Sequence, residues 1–272
     1  MKAFRFIAVL ALSALTLTAC SSTNEAGAPS SAQTRTDYKD GQVATVKSVE
    51  SGNTVTVDID GKSEQVRLLN VVAPSEHNNS PSGTCLLQES TDFLSSKLPQ
   101  GQQVTLNFDD AQVGTSGFLD AAVLVGEDLV NSEVVREGLA ATTYATPNDE
   151  FYSQISKAQQ KAAEEGKGIY SKDVECSIPS KIQKRIDEVK DAKNLAEASR
   201  KPVFLSASAY YNELVRAQGA PASYLGSIVT LTAVKDQLEG LRTALGDNYY
   251  DESGSSVADK NSASANASDR PK

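Results

Sequence analysis

Residues 65–76 have the sequence QVRLLNVVAPSE, and the first half of the chain is arranged around this stretch. Five of its first eight residues are valine or leucine. This pattern predicts a strand buried on both faces that ends at a turn around Pro74. Arg67 is the one charged residue among these eight, and a charged side chain in such a strand needs a partner or a function. The stretch therefore predicts a central strand that carries one arginine toward the loop beyond Pro74.

The residues before this strand have the pattern of a β-meander. Residues 43–49 and 54–59 are rich in β-branched side chains and are joined by the turn sequence Glu-Ser-Gly-Asn at 50–53. Asp60 and Gly61 then form a second turn into the central strand. Three consecutive strands are therefore expected to pair as neighbours.

Two further strands and three helices are predicted after the meander. They are a helix at 86–98, strands at 104–108 and 121–125, a helix at 131–138 capped by Asn131, and a helix at 147–166. Five strands and three helices in this order predict an α+β domain in which the strands close into a five-stranded barrel with the helices packed beside it.

Several separated motifs of this segment resemble the staphylococcal nuclease (thermonuclease) family. The motifs are SGNTV at 51–55, VRLL at 66–69, AP at 73–74, LVN at 129–131 and VREGLA at 135–140. The resemblance extends from about residue 41 to about residue 173. It implies an OB-type barrel over 41–176, and it implies an ancestral activity, the calcium-dependent hydrolysis of phosphodiesters in DNA or RNA.

The resemblance also implies where an active site would lie. Family members use two aspartates for calcium, a glutamate as general base and two arginines for the phosphate. Carried across, the aspartate positions hold Asn53 and Val72, the glutamate position holds Ser75, and the arginine positions hold Arg67 and Phe118. Arg67 alone keeps the charge that the chemistry needs.

We therefore expect a catalytically degenerate domain more than an enzyme, with no cofactor. The loss of one preorganised charge contact costs about 100- to 1,000-fold in rate, and here several are replaced. The alternative is a calcium-dependent nuclease with a rearranged site, in which Glu76 acts as base and Asp109, Asp110 or Asp120 supplies another carboxylate. Asn53, Arg67, Ser75, Glu76 and Phe118 are called the remnant site below.

The role of Arg67 has two interpretations at this stage. It is either an anion ligand at the mouth of the barrel or a structural residue. In the structural interpretation it pairs with Asp58, Glu76 or Asp120, or stacks on Phe118.

A third function class is a barrel that binds a glycan or another small ligand, because OB-type barrels also hold oligosaccharides. A groove lined by Tyr144, Tyr152 and Phe118 would favour this alternative.

Charge argues against nucleic acid as a partner. Residues 40–176 contain nine Lys and Arg but twenty-one Asp and Glu, a formal charge of −12. Proteins that bind nucleic acids normally gain affinity when Lys and Arg displace counterions from phosphates. A domain of this charge repels a polyanion.

The N-terminal residues have the pattern of a bacterial lipoprotein signal. A short basic start and an apolar run at 6–17 precede Cys20. We expect 1–19 to be cleaved, Cys20 to carry lipid, and 20–40 to be a flexible tether. This places the protein on the outer face of the cell membrane. The alternative is an ordinary secretory signal cut near Ala19.

Two cysteines remain after lipidation, Cys85 and Cys176. In an oxidising compartment an even pair is expected to form a disulfide. The pair would close a loop of about 90 residues, which stabilises a fold by about 4 kcal/mol in the chain-entropy model.

A helical extension is predicted at 177–246. Three apolar stripes indicate three helices, separated at Lys201-Pro202 and at residues 219–221. The helices form either a bundle that packs on itself or an interaction arm for another envelope protein. Residues 247–272 are rich in Ser, Asp, Ala and Asn and are expected to be a disordered tail.

Overall fold

The strands that follow residue 40 close into a β-barrel in a computed structural model of the chain. The structure describes residues 38–78, 80, 82–144, 147–251 and 253–256. The predicted signal peptide at 1–19, Cys20 and most of the predicted tether lie outside the described residues, as does 257–272. Within the described part of the chain, no helix combines the length and apolar character needed to cross a membrane.

The barrel domain contains eight strands and three α-helices in the described residues. They are β1 Gln42–Ser51, β2 Thr54–Ile59, β3 Lys62–Leu68, β4 Val71–Val72, α1 Leu87–Lys97, β5 Gln103–Asn107, β6 Leu119–Val125, β7 Asp128–Leu129, α2 Val130–Arg136, β8 Ala141–Thr142 and α3 Tyr152–Glu164. The main sheet has the order β3-β2-β1-β5-β6-β7, and a parallel pairing of β3 with β6 closes it. The predicted α+β fold with a five-stranded OB-type barrel is confirmed.

Apolar side chains fill the inside of the barrel. Val57, Val66, Leu106 and Val123 are all fully buried in one cluster. This cluster also contains Leu94 of α1 and Val134 of α2, so two helices pack on the same core. The interior is therefore a packed core and not a channel.

The stretch at 65–72 is two strands, not the single predicted strand. β3 ends at Leu68, and Asn70 adopts a left-handed conformation with φ of 58° before β4 begins. Asparagine tolerates this conformation better than most residues. The Asn70 side chain is buried and donates hydrogen bonds to the carbonyls of Thr143 and Asn148, at 3.2 and 3.0 Å. β4 consequently leaves the barrel and pairs with β8.

β3 is also buried on one face only, and the buried side chains lie in its second half. Lys62, Ser63 and Gln65 are exposed, whereas Val66 and Leu68 are buried. The prediction of a strand buried on both faces was therefore wrong, because one face of β3 points into the barrel and the other points outward.

Asn131 does not cap α2, contrary to the sequence prediction. It lies inside the helix, whose N-cap is Leu129, and its side chain is fully buried. Its Oδ1 accepts from the N–H of Val123 at 2.9 Å, and its Nδ2 donates to the carbonyls of Leu69 and Ala121 at 2.9 and 3.2 Å. Buried backbone groups need such partners, so Asn131 joins β6, α2 and the end of β3.

The C-terminal extension forms four α-helices in the described residues, one more than predicted. They are α4 Ile178–Ala192, α5 Glu197–Ala217, α6 Tyr224–Val229 and α7 Thr232–Leu245. The predicted break at Lys201-Pro202 lies inside α5. Pro202 removes one helical hydrogen bond, but buried Phe204, Ala207 and Leu214 hold the helix in place.

The helices of the extension pack on one another and on the barrel domain. Their apolar faces form a second cluster that also includes Ala141 of β8 and Ala162 of α3. The Thr143 hydroxyl donates to the carbonyl of Ala222 at 2.9 Å, and Gln159 donates to the carbonyl of Ser227 at 2.9 Å. The cluster therefore crosses the domain boundary predicted at residue 177.

The described chain stays packed beyond residue 247, where the sequence suggested a disordered tail. The Tyr249 hydroxyl bonds to Oδ1 of Asn212 at 2.5 Å, and the Arg242 guanidinium lies 4.5 Å from the Tyr249 ring centroid. The Tyr250 N–H donates to the Ser208 hydroxyl at 3.0 Å. Tyr249 and Tyr250 contact α5 and α7. The average composition of 247–272 did not indicate these contacts.

The predicted disulfide between Cys85 and Cys176 is confirmed. The sulfur atoms are 2.04 Å apart and the sequence separation is 91 residues. The Ser82 hydroxyl donates to the Cys176 carbonyl at 2.7 Å. The disulfide joins the segment before α1 to the segment that leads into α4.

We predict that replacing both cysteines, Cys85→Ser with Cys176→Ser, lowers the free energy of unfolding by about 4 kcal/mol, because the unfolded chain regains the entropy of an open loop. Urea denaturation of residues 21–272 measures the change. A reducing agent should produce the same loss in the wild type and no further loss in the variant. A midpoint that the double substitution leaves unchanged would contradict this role.

Candidate functional site

Arg67 is held by Asp120 in a two-pronged ion pair. Nε of Arg67 lies 2.9 Å from Oδ1 of Asp120, and Nη2 lies 2.9 Å from Oδ2. The two residues face each other in the parallel register of β3 and β6. Asp120 is buried and Arg67 is half-buried. Of the three partners that the sequence allowed, the structure selects Asp120.

The pair lies beneath the loop that precedes β6. The N–H of Asp120 donates to the carbonyl of Gln112 at 2.8 Å, and the N–H of Gly114 donates to the carbonyl of Phe118 at 3.0 Å. A Cβ atom at residue 114 would overlap both Nη2 of Arg67 and Oδ2 of Asp120. The backbone at Gly114 therefore packs directly on the ion pair, and a side chain at this position would displace it.

Phe118 belongs to this loop and is half-buried. Its carbonyl closes the turn around Gly117, which has a φ of 82°. The ring contacts found among the described residues do not include the predicted stacking of Arg67 on Phe118. The fixed partner of Arg67 is thus a carboxylate.

The side chain of Asn53 cross-links the turn between β1 and β2 to β4. Its Nδ2 donates to the carbonyl of Val71 at 3.0 Å. Its Oδ1 accepts from the hydroxyls of Ser51 and Thr54, at 3.1 and 3.3 Å. Both ends of the amide already have partners, so Asn53 has a structural role in this geometry.

Ser75 and Glu76 lie in the loop after β4, and Ser75 makes its contacts within that loop. The Ser75 N–H donates to the carbonyl of Gly83 at 2.8 Å, and its hydroxyl accepts from the N–H of His77 at 3.1 Å. Glu76 is exposed. The serine hydroxyl therefore stabilises a turn.

The other carboxylates considered for a rearranged active site or as partners of Arg67 have contacts of their own or are exposed. Oδ1 of Asp109 accepts from the N–H of Asp110 at 2.8 Å, and Oδ2 accepts from the N–H of Glu150 at 2.9 Å. Asp110 is exposed. Asp58 pairs with Lys47 at 2.9 Å, and the hydrogen bond from Lys47, aided by the N–H of Gly61, lowers the pKa of Asp58.

These groups do not form a metal site. In the described ranges, no three His, Cys, Asp or Glu side chains gather in a cluster that could hold a metal ion. Arg67 of the remnant site forms its ion pair with Asp120, one of the carboxylates considered for a rearranged site.

The aromatic residues considered for a ligand groove are arranged as follows. The rings of Tyr144 and Tyr152 meet edge to face, with centroids 5.1 Å apart. Tyr144 is exposed, and Phe118 lies in the loop before β6. The interior of the barrel is filled by its own side chains, so a ligand would have to bind on the outside.

The barrel, its closing strand pair and its three helices define the class of this domain: an OB-type barrel with an arginine at the end of the strand that closes it. The family model of the staphylococcal nuclease homologues matches residues 65–172. The chain is 30% identical over 123 residues to the thermonuclease of Staphylococcus hyicus, covering 45% of this chain and 72% of that protein.

It is also 29% identical over 132 residues to the thermonuclease of Staphylococcus intermedius, covering 48% of this chain and 78% of that protein. The chain belongs to the staphylococcal nuclease family. The extension that begins at residue 177 lies beyond the matched family segment.

Sequence reasoning missed Gly114 and gave Asn131 the wrong role. The backbone of Gly114 packs directly on the ion pair, and the Asn131 side chain forms three buried hydrogen bonds. Neither contact is local in sequence. Asn131, at the end of the LVN motif, was singled out from the sequence, but as a helix cap.

We predict that Asp120→Ala lowers the free energy of unfolding by about 2 kcal/mol, because it leaves the Arg67 charge under the loop without a partner. The effect should be smaller than for a fully buried pair, since the Arg67 side chain is 32% exposed. Chemical denaturation of Asp120→Ala, Arg67→Ala and the double variant measures it.

In this cycle the double variant should lose less than the sum of the two single variants, with a coupling energy of about 1 kcal/mol or more. Arg67→Lys should keep part of the stability but lose the two-pronged geometry. Strictly additive effects would mean that the pair contributes nothing.

Proposed function

We propose that this protein is an exported, lipid-anchored member of the family whose barrel no longer catalyses hydrolysis and serves as a binding or structural module at the cell envelope. The observation that carries this proposal is the ion pair between Arg67 and Asp120. A guanidinium that already binds a carboxylate with two hydrogen bonds is a poor ligand for a phosphate, because the phosphate must first displace a buried anion.

The donor atoms around the remnant site do not fit calcium, the ion on which the family's reaction depends. Calcium binds six to eight oxygen ligands, carboxylates above all. Asn53 offers an amide oxygen that already accepts two hydroxyl hydrogen bonds. Val72 has no ligand atom in its side chain. The side chains at these two positions therefore cannot hold calcium as the family's reaction requires.

The base of the reaction also lacks a clear substitute. Ser75 cannot deprotonate water at neutral pH, and its hydroxyl already accepts a hydrogen bond from the His77 N–H. Glu76 is exposed to solvent. The negative charge of residues 40–176 adds repulsion toward DNA and RNA, so nucleic acid is not a proposed partner.

The alternative is that Glu76 and other carboxylates rearrange into a calcium-dependent nuclease when substrate binds. The kinship with two thermonucleases supports this candidate. It requires Arg67 to leave Asp120, with which it forms two hydrogen bonds. The two candidates make opposite predictions for calcium binding and for DNA cleavage.

We predict that calcium does not stabilise residues 21–272. A site with a Kd one hundredfold below the calcium concentration would raise the free energy of unfolding by about 2.7 kcal/mol, an increase that a thermal melt detects easily. The melting temperature in calcium should equal that in magnesium at the same ionic strength. Incubation with DNA should release no more acid-soluble nucleotide than an Arg67→Ala control.

A variant with Asn53→Asp and Val72→Asp supplies a positive control for the melt. A calcium-dependent rise in its melting temperature would show that these positions are the family's ligand positions. Calcium stabilisation of the wild type would show that a calcium site exists, and cleavage that Arg67→Ala abolishes would establish the nuclease alternative.

The membrane anchor is a separate part of the proposal and rests on the sequence around Cys20. We predict that Cys20→Ala moves the protein from the membrane fraction to the culture medium and prevents its labelling by radioactive palmitate, because the sulfur that carries the lipid is missing. The variant that lacks Cys85 and Cys176 is the matched control and should remain labelled. Persistent labelling of Cys20→Ala would disprove the anchor.

The extension at 177–246 is the part we propose for contact with an envelope partner. Its apolar faces are occupied by its own helices and by the barrel domain. A partner would therefore meet its polar outer surface.

A further inference from the structure

The connection between α4 and α5 contains the longest uninterrupted run of exposed residues in the part of the chain that the structure describes. The run covers residues 193–199 and begins directly after Ala192, the last residue of α4. Leu195 lies near its middle and is 48% exposed. The side chain of an exposed leucine in such a run is open to contact by another protein.

Few contacts hold the first turn of α5. Its N-cap is Ala196, which makes no side-chain hydrogen bond to the helix. Pro202 lies inside the helix and has no N–H, so it cannot donate the helical hydrogen bond to the carbonyl of Ala198. The first buried side chain of the helix is that of Phe204. Opening of residues 197–202 therefore uncovers little apolar surface and has a low free-energy cost.

This geometry matches what a protease needs from its substrate. A protease holds the residues on both sides of the bond it cuts in an extended conformation, with side chains accessible to its pockets. Around the bond that follows Leu195, residues 193–198 are all exposed. The backbone bond from the Leu195 N–H to the Ala192 carbonyl, at 3.0 Å, is one that has to break there. The segment can therefore extend without disrupting either core cluster.

We propose that the peptide bond between Leu195 and Ala196 is a processing site for an endopeptidase with an apolar specificity pocket. The Leu195 side chain fills that pocket. Water adds across the bond, so that Leu195 gains a terminal carboxylate and Ala196 becomes a terminal ammonium group. The first turn of α5 opens to present the bond.

Tyr144 has a similar exposure, 46%, but lies in a different setting. Ala141 and Thr142, which precede it, form β8 and are buried. Drawing that segment into a protease cleft would break the pairing of β8 with β4. The bond after Leu195 is therefore the preferred site.

The cut leaves two fragments that no covalent bond connects. The disulfide joins Cys85 to Cys176 and so lies entirely in the fragment that ends at Leu195. Ile182 of α4 and Leu241 of α7 belong to the same apolar cluster, which keeps the fragments associated. Their separation becomes dependent on concentration. If the proposed membrane anchor holds, which is a separate claim, the barrel and α4 stay on the membrane and α5 to α7 are free to leave it.

Limited digestion of residues 21–272 with chymotrypsin, which cuts after Phe, Tyr and Leu, tests this proposal. Residues 21–37 and 257–272 contain none of these three residue types, so the terminal segments do not compete. Mass spectrometry should identify 21–195 and 196–272 as the first products. The two fragments should elute together in gel filtration and separate in a denaturing gel without reductant. A first cut elsewhere, including one after Tyr144, would overturn the proposal.

Three variants test the parts of the proposed site. Leu195→Ala should slow the first cut at least about tenfold, because it removes the side chain that fills the pocket. Tyr144→Ala is the matched control and should leave the rate within about twofold. Pro202→Ala restores a helical hydrogen bond and should slow the cut about tenfold, because cleavage follows the population of the opened turn. A rate that Leu195→Ala or Pro202→Ala leaves unchanged would overturn the proposal.

Discussion

The parallel pairing of β3 with β6 is the constraint on which the rest of the domain depends. It closes the sheet into a barrel, which removes two free strand edges, and it sets Arg67 opposite Asp120. This register thus determines both how the core is enclosed and which carboxylate neutralises Arg67. A shift by one residue would point Arg67 into the apolar interior, so the ion pair and the barrel stabilise each other.

Local sequence patterns predicted most helices and strands, but they did not predict contacts between residues that are distant in sequence. Alternating side chains and turn residues located β1 and β2, and the even number of remaining cysteines predicted the disulfide. The break at Asn70 and the buried role of Asn131 depend on carbonyls far away in the sequence. The partner of Arg67 was narrowed to three carboxylates, but only the closure of the barrel selects Asp120. Pro202 suggested a break between two helices, but it lies inside α5. The packing of the helix outweighs the one backbone hydrogen bond that proline removes.

The extension changes the electrostatics and the core of the molecule together. Its helices continue the apolar packing of β8 and α3, and the disulfide attaches its first residues to α1. Its excess of Lys and Arg stands beside a barrel segment with a formal charge of −12. The extension and the barrel segment therefore carry formal charges of opposite sign.

The central claim is that the Arg67 charge is committed to Asp120 and is not available to a phosphodiester. Fluorescence anisotropy of a labelled single-stranded DNA oligonucleotide, titrated with residues 21–272 at low ionic strength in calcium, tests this claim most directly. The account predicts no saturable rise in anisotropy and no difference between the wild type and Arg67→Ala. Saturable binding by the wild type that Arg67→Ala abolishes would contradict it.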